Sequence, residues 1–413
     1  MEPSQQLRQY RPGQCDGASR RHESRRIVVF SLLLTPLFTA GCGLHPAENN
    51  IARKQAGNTL ASIGPITQNE IAAGHIPGAV ILVGHAGRVV LRAAYGASSI
   101  VPTPQPMRLD AIFDLASLTK VVATTIAVMQ LAETGRLSLD APVALYWPAF
   151  AAHGKDEITI RQLLTHTSGL RPDLPDSGTW SGESSALARI AAERPLSPPG
   201  SEFVYSDLNF IVLGAVVERL SGQSLDGYTQ QHIFTPLGMT DTGFNPPPEQ
   251  LSRVVPTDIE QGTLRWGQVQ DPTAYRMGGV AGHAGLFSTA DDLARFCEML
   301  LNRGSLDGVQ ILRPDTVALM TSPITLPGGV QRGLGWDMAS PYATGLGTEF
   351  SPGSYGHTGY TGTALWIDPA ADTFLIILTS RLHPDDQGDA RPLRQQVAHV
   401  VALVFPPDVA SRQ

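Results

Sequence analysis

Cysteine is scarce in this chain, which has three cysteines among 413 residues. Cys297 is the only one in the body of the sequence, because the other two precede residue 43. An intramolecular disulfide scaffold is therefore excluded unless Cys42 stays unmodified. Cys297 lies in a helix-like stretch, which favours a buried structural thiol over a catalytic one.

Charge is also sparse, since charged residues make up 16% of the chain and the formal net charge is −7. No dense cluster of Lys and Arg is present, so the sequence predicts no nucleic-acid partner. The sequence has no His-Glu-x-x-His motif, no paired-cysteine motif, no Gly-x-Ser-x-Gly elbow and no phosphate-binding loop. We therefore expect no metal site and no cofactor, and an α/β-hydrolase is disfavoured.

The first 42 residues resemble an export signal rather than part of a fold. A basic block at 20–26 precedes an apolar run at 27–38, and small residues then lead to Cys42. That run is shorter than the roughly 20 residues that span a bilayer. The segment resembles a bacterial lipoprotein signal, which implies cleavage before a lipid-bearing Cys42 and an anchored periplasmic or cell-surface protein. The alternative is an ordinary signal peptide with a chance cysteine, because Thr39 is not the usual Leu.

The rest of the chain divides into a polar tether at 43–60 and one domain at 61–406. Apolar runs bounded by turns predict strands near both ends of this domain, at 79–83, 88–92, 364–368 and 374–379. Apolar spacing and terminal glycines predict helices, at 117–134, 158–164, 208–220, 291–302 and 392–405. The predicted fold class is α/β (α+β): one antiparallel sheet built from N- and C-terminal segments, flanked by helices, with a helical insertion.

Ser117 and Lys120 form the first motif with chemical potential. Positions i and i+3 share a helix face, so the amine of Lys120 is expected beside the hydroxyl of Ser117. A serine needs a base to become a nucleophile, and a lysine can serve if desolvation and nearby cations lower its pKa. The alternative is a helix-capping serine with a surface lysine. Apolar neighbours predict instead that Lys120 is buried.

Two further motifs have weaker individual signals. Tyr205-Ser206-Asp207 precedes a predicted helix, where the tyrosine is a candidate proton shuttle, although a helix cap with a packed tyrosine is the simpler interpretation. His357-Thr358-Gly359-Tyr360 leads into a strand, where it can assist the shuttle, bind a substrate carboxylate or supply an oxyanion-hole N–H, or form only a tight turn. His166 and His283 lie in glycine-containing loops and are interpreted as hydrogen-bonded structural histidines.

Together, the order and spacing of the three motifs resemble the serine β-lactamase and penicillin-binding-protein superfamily, in its class C β-lactamase, D,D-peptidase and esterase branch. The resemblance covers roughly residues 60–405 and implies a β-lactamase/transpeptidase-like fold. Stretches 164–170, 278–286 and 333–336 look like the family as well. Within the branch, the motif forms are most similar to penicillin-binding protein 4B-like proteins and muramyl-peptide amidases.

The resemblance also implies a role for each matched residue. Ser117 becomes the acylated nucleophile, Lys120 its base, and Tyr205 the shuttle that activates the deacylating water. The backbone N–H groups of Ser117 and Tyr360 form the oxyanion hole. His357 takes the place of the family's lysine, and Thr358 and Gly359 line the substrate-binding strand.

Two departures from the class C pattern affect the expected substrate. Asp207 replaces an asparagine that binds the substrate amide, and an ionised carboxylate can only accept hydrogen bonds. His357 replaces a permanently charged lysine, which implies weaker, pH-dependent carboxylate recognition. We therefore predict a serine hydrolase of peptidoglycan-derived peptides, of D,D-carboxypeptidase or amidase type. The alternatives are a small-ester esterase or weak class C-like β-lactamase, and a non-catalytic cell-wall-binding protein.

Overall fold

The computed structural model describes residues 57–175, 178–260, 262–343 and 346–407. The predicted export signal and Cys42 lie outside these residues and stay predictions. No helix within the described ranges is long and apolar enough to cross a bilayer.

The centre of the fold is an antiparallel sheet of nine described strands. In chain order, β1 to β9 span Gly78–His85, Arg88–Ser99, Gln105–Pro106, Ile324–Thr325, Gln331–Arg332, Asp337–Ala339, Tyr355–Thr358, Ala364–Asp368 and Thr373–Thr379. Their spatial order is β4-β5-β6-β7-β8-β9-β1-β2-β3. Strand β1 pairs with C-terminal β9, with Ile81 opposite Ile377. The prediction that both chain ends build one antiparallel sheet is confirmed.

The central strands are apolar on both faces, which explains why their sequences are continuous hydrophobic runs. In β1, Val80 and Leu82 face one core while Ala79, Ile81 and Val83 face another, and all five are fully buried. Successive side chains of a strand point to opposite faces, so the sheet must be covered on both sides. Helices supply that cover, which gives three layers.

Helices α1 to α12 span Ile63–Ala72, Thr125–Glu133, Ile160–Leu164, Glu183–Ala192, Asp207–Ser221, Leu225–Thr229, Thr235–Leu237, Pro272–Arg276, Ala290–Leu301, Pro314–Thr321, Leu346–Glu349 and Arg391–Val404. Helices α1 and α12 cover one face of the sheet, and α9 packs on the other. The buried helices α2 and α5 pack against each other in the larger core. The five helices predicted from apolar spacing are confirmed, although the first of them begins with turns of 3-10 and π geometry before α2.

A small three-stranded sheet inside the insertion was not predicted. It consists of Phe113–Asp114, Leu286–Ser288 and Gly243–Phe244, with the second strand in the middle. These strands have only two or three residues, too few to give a periodic pattern. The sheet places the segment before Ser117 beside the segment that follows His283. Two short hairpins complete the described strands, Ile259–Glu260 with Thr263–Leu264 and Ser305–Leu306 with Val309–Gln310.

Candidate active site

Ser117 lies in a 3-10 turn, Ala116–Leu118, that continues through a π-helical turn, Lys120–Thr124, into α2. Lys120 Nζ donates a hydrogen bond of 3.0 Å to Ser117 Oγ. The lysine side chain is completely buried. Both the contact and the burial that the sequence predicted are confirmed.

The backbone before Ser117 is strained. Ala116 has φ +46°, a left-handed conformation that is unfavourable for a residue with a Cβ. The carboxylate of Asp114 holds this turn by accepting from the N–H of Ala116 at 2.9 Å and that of Gln270 at 2.7 Å. Burial raises the pKa of Asp114 to about 6 despite these bonds. The Ser117–Lys120 motif does not predict this left-handed turn, because Ala116 and Asp114 lie outside the motif.

The ammonium of Lys120 has three acceptors. Besides Ser117 Oγ, they are the backbone oxygen of His283 at 3.0 Å and Asp207 Oδ1 at 2.6 Å. Burial disfavours the charged form, but Asp207 and Tyr205 outweigh burial and raise the pKa of Lys120 above its ordinary value. A lysine base that works near neutral pH needs a lowered pKa. The structure shows the opposite direction because the groups around Lys120 are anionic or polar rather than cationic.

Tyr205 covers the lysine and belongs to an aromatic wall. Lys120 Nζ lies 5.1 Å from the ring centroid. Burial raises the pKa of Tyr205, although the proximity of Lys120 and Ser117 acts to lower the pKa of the phenol, so the resting phenol is neutral. Its ring lies between His166, at 4.4 Å, and Tyr342, at 4.8 Å.

His166 is a hydrogen-bonded structural residue, as the sequence suggested. It is fully buried, and its Nδ1 accepts from the N–H of Ser206 at 3.1 Å. Burial, together with the charge of Arg332, lowers the pKa of His166 well below its usual range. It therefore orients the turn that carries Tyr205 without contributing a charge.

His357 is neutral as well, which changes its expected role. It lies on β7 with its ring 6.1 Å from that of Tyr205, and its Nδ1–H donates to the carbonyl of Thr358 at 2.8 Å. Burial first, and then Arg332 and Lys120, lower its pKa well below the usual value. An uncharged imidazole does not attract a carboxylate by charge, so the structure gives no support to ionic substrate recognition by His357.

The residues after His357 bring β7 against the Ser117 turn. A Cβ on Gly359 would collide with Thr363 Oγ1 and with the carbonyl of Leu115, so only glycine fits. Thr363 Oγ1 also donates to that carbonyl at 3.0 Å. Tyr360 is 56% exposed at the cleft mouth. Thr358, two residues earlier, donates its hydroxyl proton to the carbonyl of Tyr342 at 3.2 Å.

These residues line a cleft of about 850 Å³. Seven of the eight predicted catalytic and substrate-binding residues line it, and the eighth, Lys120, lies buried behind Ser117. Sequence reasoning missed several other lining residues, which come from separate segments without a shared motif: Gln270, Asp271, Tyr342, Arg381, Arg391 and Arg394. The lining of the cleft thus includes three aspartates, Asp207, Asp271 and Asp389, and three arginines.

His283 also has an unexpected setting. Its Nε2 lies 2.9 Å from Asp271 Oδ1, and the imidazole is almost fully buried. The structural interpretation omitted this ion pair, because Asp271 is twelve residues away and belongs to no motif. Within the described residues, no three His, Cys, Asp or Glu side chains form a group that could hold a metal ion.

Comparison with known proteins agrees with this geometry. The family model described as Beta-lactamase matches residues 53–399. An N-acetylmuramyl-L-alanine amidase of Bacillus subtilis (strain 168) is 33% identical, over 87% of this chain and 92% of its own. A putative D-alanyl-D-alanine carboxypeptidase of Escherichia coli (strain K12) is 31% identical, over 87% of this chain and 91% of its own.

A solved structure shows the same architecture. EstCE1, a hydrolase with promiscuous acyltransferase activity, superposes with a TM-score of 0.69 and 26% identity, covering 84% of this chain and 99% of its own. The family model and the two relatives each cover more than four-fifths of the chain. The chain therefore belongs to the β-lactamase family and is a serine hydrolase of the β-lactamase and penicillin-binding-protein group.

Proposed function

We propose that the chain hydrolyses peptidoglycan-derived peptides through an acyl-enzyme on Ser117, as a D,D-carboxypeptidase or an amidase. The observation that carries this proposal is the 3.0 Å hydrogen bond between Lys120 Nζ and Ser117 Oγ at the cleft floor, beneath Tyr205. A nucleophile, a buried amine and a phenol within hydrogen-bonding reach make a proton-transfer network.

In the proposed acylation, the amine form of Lys120 takes the proton of Ser117 as Oγ bonds to the substrate carbonyl carbon. The backbone N–H groups of Ser117 and Tyr360 receive the developing oxyanion. Tyr205 gives its phenolic proton to the leaving nitrogen as the carbon–nitrogen bond breaks, while Lys120 keeps the proton taken from Ser117. The phenolate of Tyr205 then removes a proton from the water that attacks the ester carbonyl, and Lys120 returns its proton to Ser117 Oγ as the ester bond breaks.

Three arginines, Arg381, Arg391 and Arg394, are the cations among the described lining residues of the cleft. Each already has a partner: Arg391 pairs with Asp389, Arg381 pairs with Asp386, and Arg394 donates to backbone oxygens. A substrate carboxylate must therefore share or displace these partners to form the bidentate contact that guanidinium favours. The names of the two relatives point to cell-wall peptides.

A small-ester hydrolase is the second candidate. Asp207 is paired with Lys120, and a carboxylate can only accept hydrogen bonds, so it does not bind a substrate carbonyl oxygen as an asparagine would. The likeness to EstCE1, a hydrolase with promiscuous acyltransferase activity, supports a substrate other than a peptide.

The test begins with a fluorophosphonate probe, which labels activated serines. Wild type and Ser322→Ala, a control at the exposed end of α10, should be labelled, whereas Ser117→Ala should stay unlabelled. Intact-mass spectrometry after exposure to digested peptidoglycan should then show an added acyl mass on wild type. Equal labelling of Ser117→Ala would overturn the nucleophile assignment. Turnover of a nitrophenyl ester without any peptidoglycan adduct would favour the esterase.

We also propose that the protein is exported and anchored by a lipid on Cys42. The motivation is the basic, apolar and small-residue order of the first 42 residues, together with relatives named for cell-wall substrates. Palmitate labelling in a bacterial host should be lost in Cys42→Ser. Retained labelling in that variant would exclude Cys42 as the lipid attachment site.

A further inference from the structure

One of the three acceptors of Lys120 belongs to a residue whose side chain is itself held by a cleft carboxylate. The backbone oxygen of His283 accepts from Lys120 Nζ at 3.0 Å, while the Nε2 of the same residue bonds to Asp271 Oδ1 at 2.9 Å. Asp271 lines the cleft and caps α8 by accepting from the N–H of Ala274 at 2.7 Å. A continuous chain of contacts thus joins the cleft surface to the lysine.

The loop that carries His283 is tightly packed against the helices of the site. The carbonyl of Gly282 accepts from Thr124 Oγ1 at 2.6 Å. A Cβ on Gly282 would collide with the carbonyl of Phe210, and Gly285 has φ +110°. Because the loop has little room, a shift of the His283 side chain would be transmitted to its carbonyl oxygen.

The charges around the pair keep it ionised. Burial opposes charge on both groups, but their mutual attraction lowers the pKa of Asp271 to about 2 and raises that of His283. The pair also interacts electrostatically with charged groups on neighbouring segments, namely those of Lys120, Asp207 and Asp173. Asp271 interacts in the same way with Asp114, which also lies in the field of Arg265. The ion pair has no net charge. Replacing both of its residues by neutral ones would therefore change the local geometry more than the local charge.

We propose that His283 and Asp271 form a positioning pair for Lys120: the ion pair fixes the His283 carbonyl and thereby holds the lysine amine between Ser117 and Asp207. This inference rests on the proposed role of Lys120 in acylation. Neither residue needs to touch the reacting atoms. Asp271 lines the cleft. A ligand that contacts Asp271 would therefore also affect the position of the Lys120 amine.

The chain offers a direct spectroscopic test because it contains three lysines, Lys54, Lys120 and Lys155. Lysine labelled with ¹³C at Cε should give three resolvable signals, and the signal lost in Lys120→Met identifies Lys120. In Asp271→Asn, we expect the Lys120 signal to move and its pKa to fall, because a nearby carboxylate is lost and the carbonyl acceptor is displaced. In His283→Ala, we expect the Lys120 signal to move. The Lys155 signal is the internal control and should not move.

Acylation rates provide the second readout. When rates are compared at an equal fraction of free Lys120 amine, taken from the ¹³C titration, Asp271→Asn should slow acylation of a nitrophenyl ester about tenfold or more, since a small displacement of a catalytic group has effects of this order. Asp292→Asn is the matched control: it is a buried aspartate that accepts from the N–H of Asp241 and from Thr242 Oγ1, away from the cleft, and should leave the rate unchanged. His283→Gln, which retains a donor for Asp271, should keep more activity than His283→Ala.

The outcomes separate this inference from the proposed function. If wild type forms no acyl-enzyme, the proposed function fails, but the lysine signals still decide the inference. If wild type reacts and folded Asp271→Asn keeps both the wild-type Lys120 titration and the wild-type acylation rate, the positioning pair is excluded. If Asp271→Asn does not fold, the same two measurements on His283→Gln and His283→Ala decide the question.

Discussion

Two lysines of the described fold, Lys120 and Lys155, are completely buried, but they differ in their hydrogen-bond partners and in the direction of their pKa shifts. Lys120 donates to a serine hydroxyl, a backbone carbonyl and a carboxylate. Lys155 donates to three backbone carbonyls, of Ala152, Ala191 and Glu193, at 2.5–2.9 Å. Burial lowers the pKa of Lys155, whereas the anionic partners of Lys120 raise its pKa despite burial.

The comparison shows that burial alone does not make a lysine reactive. Lys155 donates hydrogen bonds to two carbonyls at the C-terminal end of α4, where the last carbonyls of a helix have no intrahelical donors. Its partners have no exchangeable proton, so it can only hold them together. Lys120 lies beside two hydroxyl groups that can exchange protons with it, those of Ser117 and Tyr205, and both residues line an open cleft.

The largest effect is expected for Lys120→Met. Acylation of a nitrophenyl ester should fall by about 10³-fold, within the range that positioned acid–base groups contribute. The free energy of unfolding should fall as well, by about 3–5 kcal/mol, because Asp207 Oδ1 and the His283 carbonyl lose their buried cationic donor. Stopped-flow acylation and thermal melting measure the two effects. A variant that acylates within tenfold of wild type would show that Lys120 is not the base.

Lys155→Met should destabilise the fold without slowing acylation. Three buried carbonyls lose their donors, so the free energy of unfolding should fall by about 2–4 kcal/mol. The acylation rate of the protein that remains folded should equal that of wild type. Denaturant unfolding and rate measurements at a concentration corrected for active sites test this. An acylation defect as large as that of Lys120→Met would remove the distinction between the two lysines.

The sequence was sufficient for one of these lysines and not for the other. Lys120 lies three residues after Ser117 in an apolar stretch, so both its burial and its partner follow from helical spacing. Lys155 lies in a polar loop segment, Gly154 to Glu157, where composition predicts an exposed side chain. Its burial comes from carbonyls 36 and 38 residues away, which no local pattern encodes.

The same limit applies to the site as a whole. Motif residues such as Tyr205 and Gly359 were found because they belong to motifs in a recognisable order. Asp271 and Arg381 were missed because their proximity to Ser117 depends on tertiary packing. The direction of the pKa shift of Lys120 could not be predicted for a related reason, since it depends on which charges the fold brings near the amine.

Asp207→Asn should change the acylation rate far less than Lys120→Met. It tests most directly why the pKa of Lys120 is raised while that of Lys155 is lowered. Asp207 raises the pKa of Lys120, so its neutral replacement should lower that pKa while Lys155 is unaffected. If the free amine is the reactive form, kcat/KM rises with pH up to the pKa of Lys120. A lowered pKa therefore moves this acid limb to lower pH. The rate for an uncharged ester at a fixed pH on the limb should then increase by about tenfold when the pKa of Lys120 falls by one.

The ¹³C signals of Lys120 and Lys155 provide the matched pair of titrations for this variant. The Lys120 signal should titrate at lower pH in Asp207→Asn than in wild type, because the ammonium has lost its carboxylate partner. The Lys155 signal should titrate as before, because its three partners are backbone carbonyls of a different segment. An unchanged acid limb together with a lowered pKa of Lys120 would show that the protonation state of this amine does not control acylation.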